Sequence, residues 1–132
     1  MPVTVGMSGF SYRRFLEDYR SAPKGRYVAG LLPSLPFESA RFDLTLVSYL
    51  LLVYEDHFSY EFHRLAILDM LRVAGEVRVF PLVTLMLKPS PYVEPLLQEL
   101  QSLGYTAQIH TVQYELQRGG NQLLCIKRHP KL

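Results

Sequence analysis

The sequence holds one cysteine, Cys125, among its 132 residues. A single thiol forms no internal disulfide, and no cysteine and histidine stand at the spacing of a zinc site, so a disulfide framework and a structural zinc are excluded. A reducing, cytoplasmic setting is expected, with no metal. Long hydrophobic runs are also missing. The longest, Leu44–Tyr54 and Val77–Leu87, fall short of the ~20 residues of a spanning helix, and Arg78 interrupts the second. The N-terminus has neither the basic region nor the apolar stretch of a signal peptide. Nor does either sign of charge dominate: 14 basic and 12 acidic residues leave +2, with no block of like charge. Neither nucleic acid nor a membrane is expected as a partner. There is no internal repeat and no low-complexity segment.

What is present suits one globular unit. With 48% apolar and 20% charged residues, a chain of this length buries one core, so residues 1–132 are read as a single domain. Val3-Thr4-Val5 is a short β-prone start punctuated by Gly6 and Gly9. From a Ser11 cap, Tyr12, Phe15, Leu16 and Tyr19 fall at helical spacing, and Pro23 with Gly25 ends that helix. Tyr27–Gly30 is a brief strand candidate, and two prolines make Leu32–Phe37 a loop. Phe42–Ser48 is apolar on both sides, the pattern of a parallel strand buried under helices. Tyr60–Val73 reads as a helix with Ser59 as cap and Gly75 as stop. Glu76–Leu82 gives a second buried strand ended by Pro81, and Tyr92–Leu103 a further helix closed by Gly104. Ala107–Leu116 and Asn121–Lys127 then form an antiparallel hairpin, with Gly119-Gly120 supplying the positive φ angles of a tight turn. The fold class is α/β, a mostly parallel sheet with helices on its faces and a C-terminal β-hairpin.

In open parallel sheets, ligands bind beyond the carboxyl ends of the strands. That rule selects Leu31 and Leu32, Ser48 and Tyr49, the Pro81-Leu82 end and the Arg118–Asn121 turn. Packing residues are the competing reading for Leu31 and Leu32. Tyr54, His57 and His63 gather after Ser48, where a general base would sit, although a solvated His57 and a half-buried His63 are the commoner outcomes. Arg118 offers a guanidinium to a carboxylate or phosphate, or else forms a structural ion pair. Cys125, mid-strand among Leu123, Leu124 and Ile126, is expected to be inert.

Leu-Pro-Ser-Leu-Pro-Phe at 32–37, Arg-Phe-Asp-Leu-Thr-Leu-Val-Ser at 41–48, Met-Leu-Arg-Val-Ala at 70–74 and Glu-Val-Arg-Val-Phe-Pro-Leu at 76–82 occur in that order. Together they resemble the C-terminal half of class I S-adenosylmethionine-dependent methyltransferases. Tyr114–Asn121 (Tyr-Glu-Leu-Gln-Arg-Gly-Gly-Asn) narrows the resemblance to a bacterial, largely uncharacterised branch. The resemblance spans about residues 27–128 and implies a Rossmann-like sheet with a terminal hairpin. It also implies S-adenosylmethionine as cofactor, with Leu31 and Leu32 near the adenine and Ser48 and Tyr49 near the methionine or the methyl acceptor. Tyr54, Arg118 and Asn121 would then face a small-molecule acceptor. No dedicated acid or base is required, because the sulfonium leaves readily and alignment supplies much of the rate.

The sequence departs from that family at one place. The glycine-rich turn Gly-x-Gly-x-Gly after the first strand, and the acid ending the second, have no counterpart; Gly6 and Gly9 stand three apart before a basic helix. Glycine matters there because the backbone must approach the ligand without a Cβ. The chain is therefore expected to be a truncated form lacking the first strand, with its activity impaired. The competing reading is a non-catalytic remnant serving as an interaction module. An absent first strand exposes the Phe42–Ser48 edge, so a homo-oligomer, or Val3–Val5 folded over that edge, is expected.

Overall fold

The structure, a computed structural model, describes residues 9–24, 26–54, 57–113 and 119–128. Val3–Val5, Gly25, Arg118 and most of the 114–121 motif lie outside these residues. The order of elements is α1 (Gly9–Ser21), β1 (Phe42–Ser48), α2 (Tyr60–Val73), β2 (Ala74–Phe80), α3 (Val93–Ser102), β3 (Thr106–Thr111) and β4 (Gln122–Lys127). Among the described residues, the strands form one sheet in the order β1-β2-β4-β3. β1 and β2 are parallel, and β4 is antiparallel to both neighbours, so β1, β2 and β3 point the same way and β4 alone is reversed.

Register follows from which side chains must be covered. Thr45 and Val47 face the same side as Val77 and Val79, Ile126 and Leu124, and Ala107. Helices α2 and α3 pack on that side, contributing Ala66, Ile67, Met70, Leu71, Leu96 and Leu100 to one core. Burial of this kind contributes about 1.5–3 kcal/mol per large aliphatic side chain. The opposite face carries Glu76, Arg78, Cys125 and Lys127, with Arg78 and Lys127 on the Glu76 carboxylate.

Helix α2 starts where the Ser59 hydroxyl accepts the Phe62 amide at 3.0 Å, as its capping role predicts. Its C-terminal carbonyls are taken by the Arg128 guanidinium, which donates to Leu71, Arg72 and Ala74. Glu99 of α3 accepts from Tyr60 (2.7 Å) and Arg64 (2.5 Å), tying the two helices together. Burial, reinforced by the bond to Glu99, pushes the Tyr60 hydroxyl up to about 12. No helix of the described residues is long and apolar enough to cross a membrane.

Several boundaries differ from the sequence reading. Helix α1 begins at Gly9, so Ser11 lies inside it and is not its cap. Residues 27–30 form no strand. Gly75 does not stop α2; Ala74 closes the helix in extended backbone and β2 starts at once, with Gly75 within it. Phe42–Ser48 is parallel as expected and, among the described residues, stands at the sheet edge, as an absent first strand implies, but only Val47 of this strand is buried. The hairpin ladder ends at Thr111 opposite Gln122, short of the expected strand end at Leu116, and residues 114–118 lie outside the described residues. Of the glycine pair, Gly119 alone has a positive φ, 79°.

Candidate functional site

The reversed β4 brings β3 back into line with β1 and β2, so Ser48, Phe80 and Thr111 end at one edge of the sheet and Gln122 begins there. Beyond Ser48 the backbone takes two left-handed turns at residues that are not glycine, Tyr49 (φ 57°) and Leu52 (φ 71°). Such conformations cost about 1–3 kcal/mol each and persist where surrounding contacts over-determine them. The contacts are present. The Tyr49 amide donates to the Phe80 carbonyl at 2.9 Å, and the Tyr49 ring meets Phe80 edge-on at 5.9 Å. Leu51, Leu52 and Val53 are buried, and the Val53 carbonyl accepts from Leu85 at 3.2 Å.

His63 is the main fastening of this loop. The Leu52 amide donates to its Nε2 at 2.9 Å, so Nε2 carries the lone pair and Nδ1 the proton. The Ser59 carbonyl lies 2.8 Å from Nδ1 and accepts a hydrogen bond from it. The ring is fully buried, and burial lowers its pKa. A histidine held neutral with both nitrogens engaged by backbone is a structural bridge, so the general-base candidacy of His63 is corrected. His57 is exposed on the adjoining turn.

A groove of about 820 Å³ runs beside β1. Leu32, Leu35 and Phe37 line it together with Leu44, Leu46, Ser48 and Leu50 and with Arg26 and Arg41. The 35–37 segment is anchored to α2. Asp69 accepts the Leu35 amide at 2.6 Å, and Arg72 donates to the carbonyls of Phe37 (2.8 Å) and Leu35 (3.0 Å). The bond from Arg72 holds the Asp69 carboxyl below the ordinary carboxylate range. Arg26 and Tyr27 in turn donate to Asp18 of α1.

The expected site residues divide between groove and sheet edge. Leu32 and Ser48 share the groove. Leu31 is 83% exposed and bridges only to Ser34, so neither core packing nor groove lining describes it. Tyr49 turns onto Phe80 at the sheet edge, where Asn121 also stands, its carbonyl accepting from Val112 at 2.7 Å. Gly119 approaches Val83 of the neighbouring β2 end, its absent Cβ lying 4.0 Å from that side chain. Tyr54 closes the 49–54 loop, its carbonyl accepting from His57 and Phe58. Arg118 lies outside the described residues. Cys125 is buried 3.7 Å from Glu76, and its thiol is pushed up first by burial and then by that carboxylate, consistent with an unreactive residue. Among the described residues no group of three or more His, Cys, Asp or Glu is placed to hold a metal ion. The arrangement thus offers an apolar lining with two arginines, of which Arg26 is engaged by Asp18, and such a surface is suited to binding.

The chain is similar to an uncharacterised protein of the archaeon Methanocaldococcus jannaschii, with 35% identity over 118 residues, 89% of this chain and 51% of that protein. It thus spans about half the length of this relative. No family model matches the sequence. No solved structure matches it.

Proposed function

We propose that this chain is a class I S-adenosylmethionine-dependent methyltransferase-like protein with a Rossmann-like sheet, acting on a small-molecule acceptor. The observation that carries the reading is the strand order: a parallel β1-α2-β2 unit, then a hairpin whose last strand returns antiparallel between β2 and β3. A terminal hairpin of this kind is what the sequence resemblance implies. Leu32 and Ser48, two of the four residues assigned to the cofactor, line one groove, and Leu50 adds apolar surface for a purine.

The described residues fit one end of that cofactor and not the whole. No aspartate or glutamate lines the groove to receive ribose hydroxyls. No glycine lines it either to let the backbone approach a methionine moiety. The chain by itself is therefore a weak binder of the adenosine portion. Calorimetry with S-adenosylmethionine and S-adenosylhomocysteine tests this: dissociation constants between about 10 μM and 1 mM are expected, lost in Leu32→Asp. Micromolar or tighter binding, about −8 kcal/mol or better, would overturn the view of an incomplete pocket. Absence of saturable binding at millimolar ligand would leave the other reading, a non-catalytic interaction module, which the edge position of β1 among the described residues favours.

A further inference from the structure

We infer that the turn following β2 seats in the interface of a lipid bilayer, with Leu85, Met86 and Leu87 as the inserted side chains. These three consecutive aliphatic residues are 52%, 75% and 49% exposed, and none of them belongs to the core cluster. Single exposed hydrophobic residues are ordinary on any surface, but an unbroken run gathered at one tip marks a contact site. The flanks add no competing charge: between Arg78 and Glu94 the sequence carries Lys88 alone.

The turn is built so that these side chains stay outside. The Thr84 amide donates to the Lys88 carbonyl at 2.7 Å, the Leu87 amide back to the Thr84 carbonyl at 3.0 Å, and the Met86 amide to the Thr84 hydroxyl at 3.3 Å. Val83 bridges to Pro89 at the base, and the Leu85 amide donates to Val53 of the neighbouring loop at 3.2 Å. Leu87 is left-handed (φ 59°), a backbone conformation that these bonds hold in place. A turn closed on itself in this way does not fold its leucines back into the core.

The same bonds identify the receiving phase. A protein partner that adds a strand needs free backbone donors, yet the amides of Thr84, Leu85, Met86 and Leu87 are all used within the chain and Pro89 has none. Hydrocarbon makes the opposite demand, because polar backbone entering it must already be bonded. The three side chains also lack the aromatic or polar groups by which a protein pocket fixes an anchor. A fluid interface accepts a projecting apolar tip without matching its shape, and Lys88, adjoining the tip, meets anionic headgroups from the water side. The lack of a spanning run speaks to another mode of membrane contact, since three residues rest in the interface and do not cross it. The inference goes beyond the methyltransferase reading and needs no bound S-adenosylmethionine.

Vesicle sedimentation of the whole chain, without added ligand, tests it. Binding to phosphatidylglycerol vesicles is expected, with weaker binding to phosphatidylcholine. Met86→Asp is expected to lower the partition coefficient at least about tenfold, whereas Leu103→Asp, at an exposed leucine between α3 and the start of β3, changes it less than about threefold. The sequence has no tryptophan, so Met86→Trp supplies a lone reporter. Its emission is expected to shift to the blue on vesicles and to be quenched by lipids brominated on the acyl chain. Absence of sedimentation with either vesicle would overturn the inference, as would equal losses in the two aspartate variants. Binding that leaves the Met86→Trp emission unshifted would overturn it too, because the chain would then adhere by another face. If sedimentation is absent and light scattering shows a dimer that Met86→Asp dissociates, the tip docks on a second copy instead.

Discussion

Strands β1 and β2 lie side by side and run the same way, yet their sequences and surroundings are inverted. β2 carries Glu76 and Arg78 and is an inner strand; β1 has a single charge and, among the described residues, forms an edge. Along β2 the alternation is clean, with Val77 and Val79 fully buried under the helices and Glu76 and Arg78 paired on the other face. Along β1, Thr45 and Val47 take the helix side while Phe42, Leu44 and Leu46 occupy the face on which β2 is charged. Phe37 meets Phe42 edge-on at 4.9 Å, whereas Leu46 is 40% exposed. An apolar run therefore records an environment enclosed on both faces, and the described residues enclose one.

The largest effect that this contrast predicts is on stability. Leu124→Ala, at a fully buried position on the helix side, is expected to cost about 2–5 kcal/mol through lost transfer energy and a residual cavity. Leu46→Thr keeps a strand-favouring residue at a partly exposed position and is expected to cost less than about 1 kcal/mol. Urea denaturation midpoints of the two variants separate them. Equal losses would break the comparison, because Leu46 would then be packed as tightly as the core.

The same two strands mark how far the sequence could be read. Both bounds of Phe42–Ser48 and of Tyr60–Val73 were legible, because apolar periodicity, the Ser59 cap and the turn signals all agree there. The edge position of β1 follows from the family resemblance and its missing first strand, whereas the partial exposure of the strand was not legible, since a pattern apolar on both sides reads as buried. Gly75 misled as a helix stop because the chain passes from α2 to β2 through Ala74 with no loop. At the site, Leu32 and Ser48 were reachable from the rule about strand ends. His63 was visible as a histidine but not as the acceptor for Leu52: its partner is a backbone amide eleven residues away, which no side-chain pattern announces. The left-handed turns at Tyr49 and Leu52 were equally hidden, because neither residue favours positive φ.

A middle-sized effect tests whether the 49–54 loop belongs to the tight region or the open one. His63→Ala leaves the buried Leu52 amide without its acceptor, an expected loss of about 1–3 kcal/mol. The pH dependence carries the sign. Burial lowers the His63 pKa in the folded protein, so between that value and the ordinary value near 6.5 the unfolded chain binds the proton that the folded one refuses. Its contribution is fully present above about pH 6.5 and is lost as pH falls below it. The stability difference between wild type and His63→Ala, measured at pH 7.5 and again at 5.5, should shrink on acidification. An unchanged difference would remove His63 as the fastening of that loop.

The smallest effects sharpen the comparison at two exposed glycines, one in each region. Gly30 precedes the 31–37 segment that lines the groove in part, and an added Cβ would lie 2.8 Å from Pro36 Cδ and 3.3 Å from its Cγ. A proline ring has little freedom to give way, so Gly30→Ala is expected to displace the 30–36 segment and cost about 1 kcal/mol. Gly75, in β2, has ordinary backbone, and its added Cβ would meet only the Asp43 carbonyl at 3.7 Å, a normal contact. Alanine there restricts the unfolded chain without straining the folded one, so Gly75→Ala should stabilise by about 0.5 kcal/mol. Thermal midpoints moving in opposite directions would locate a tight contact inside the open region and slack inside the covered one. A fall in both midpoints would mean that β1 and β2 approach more closely at Gly75 than the 3.7 Å contact allows, and that the covered region is uniformly close-packed.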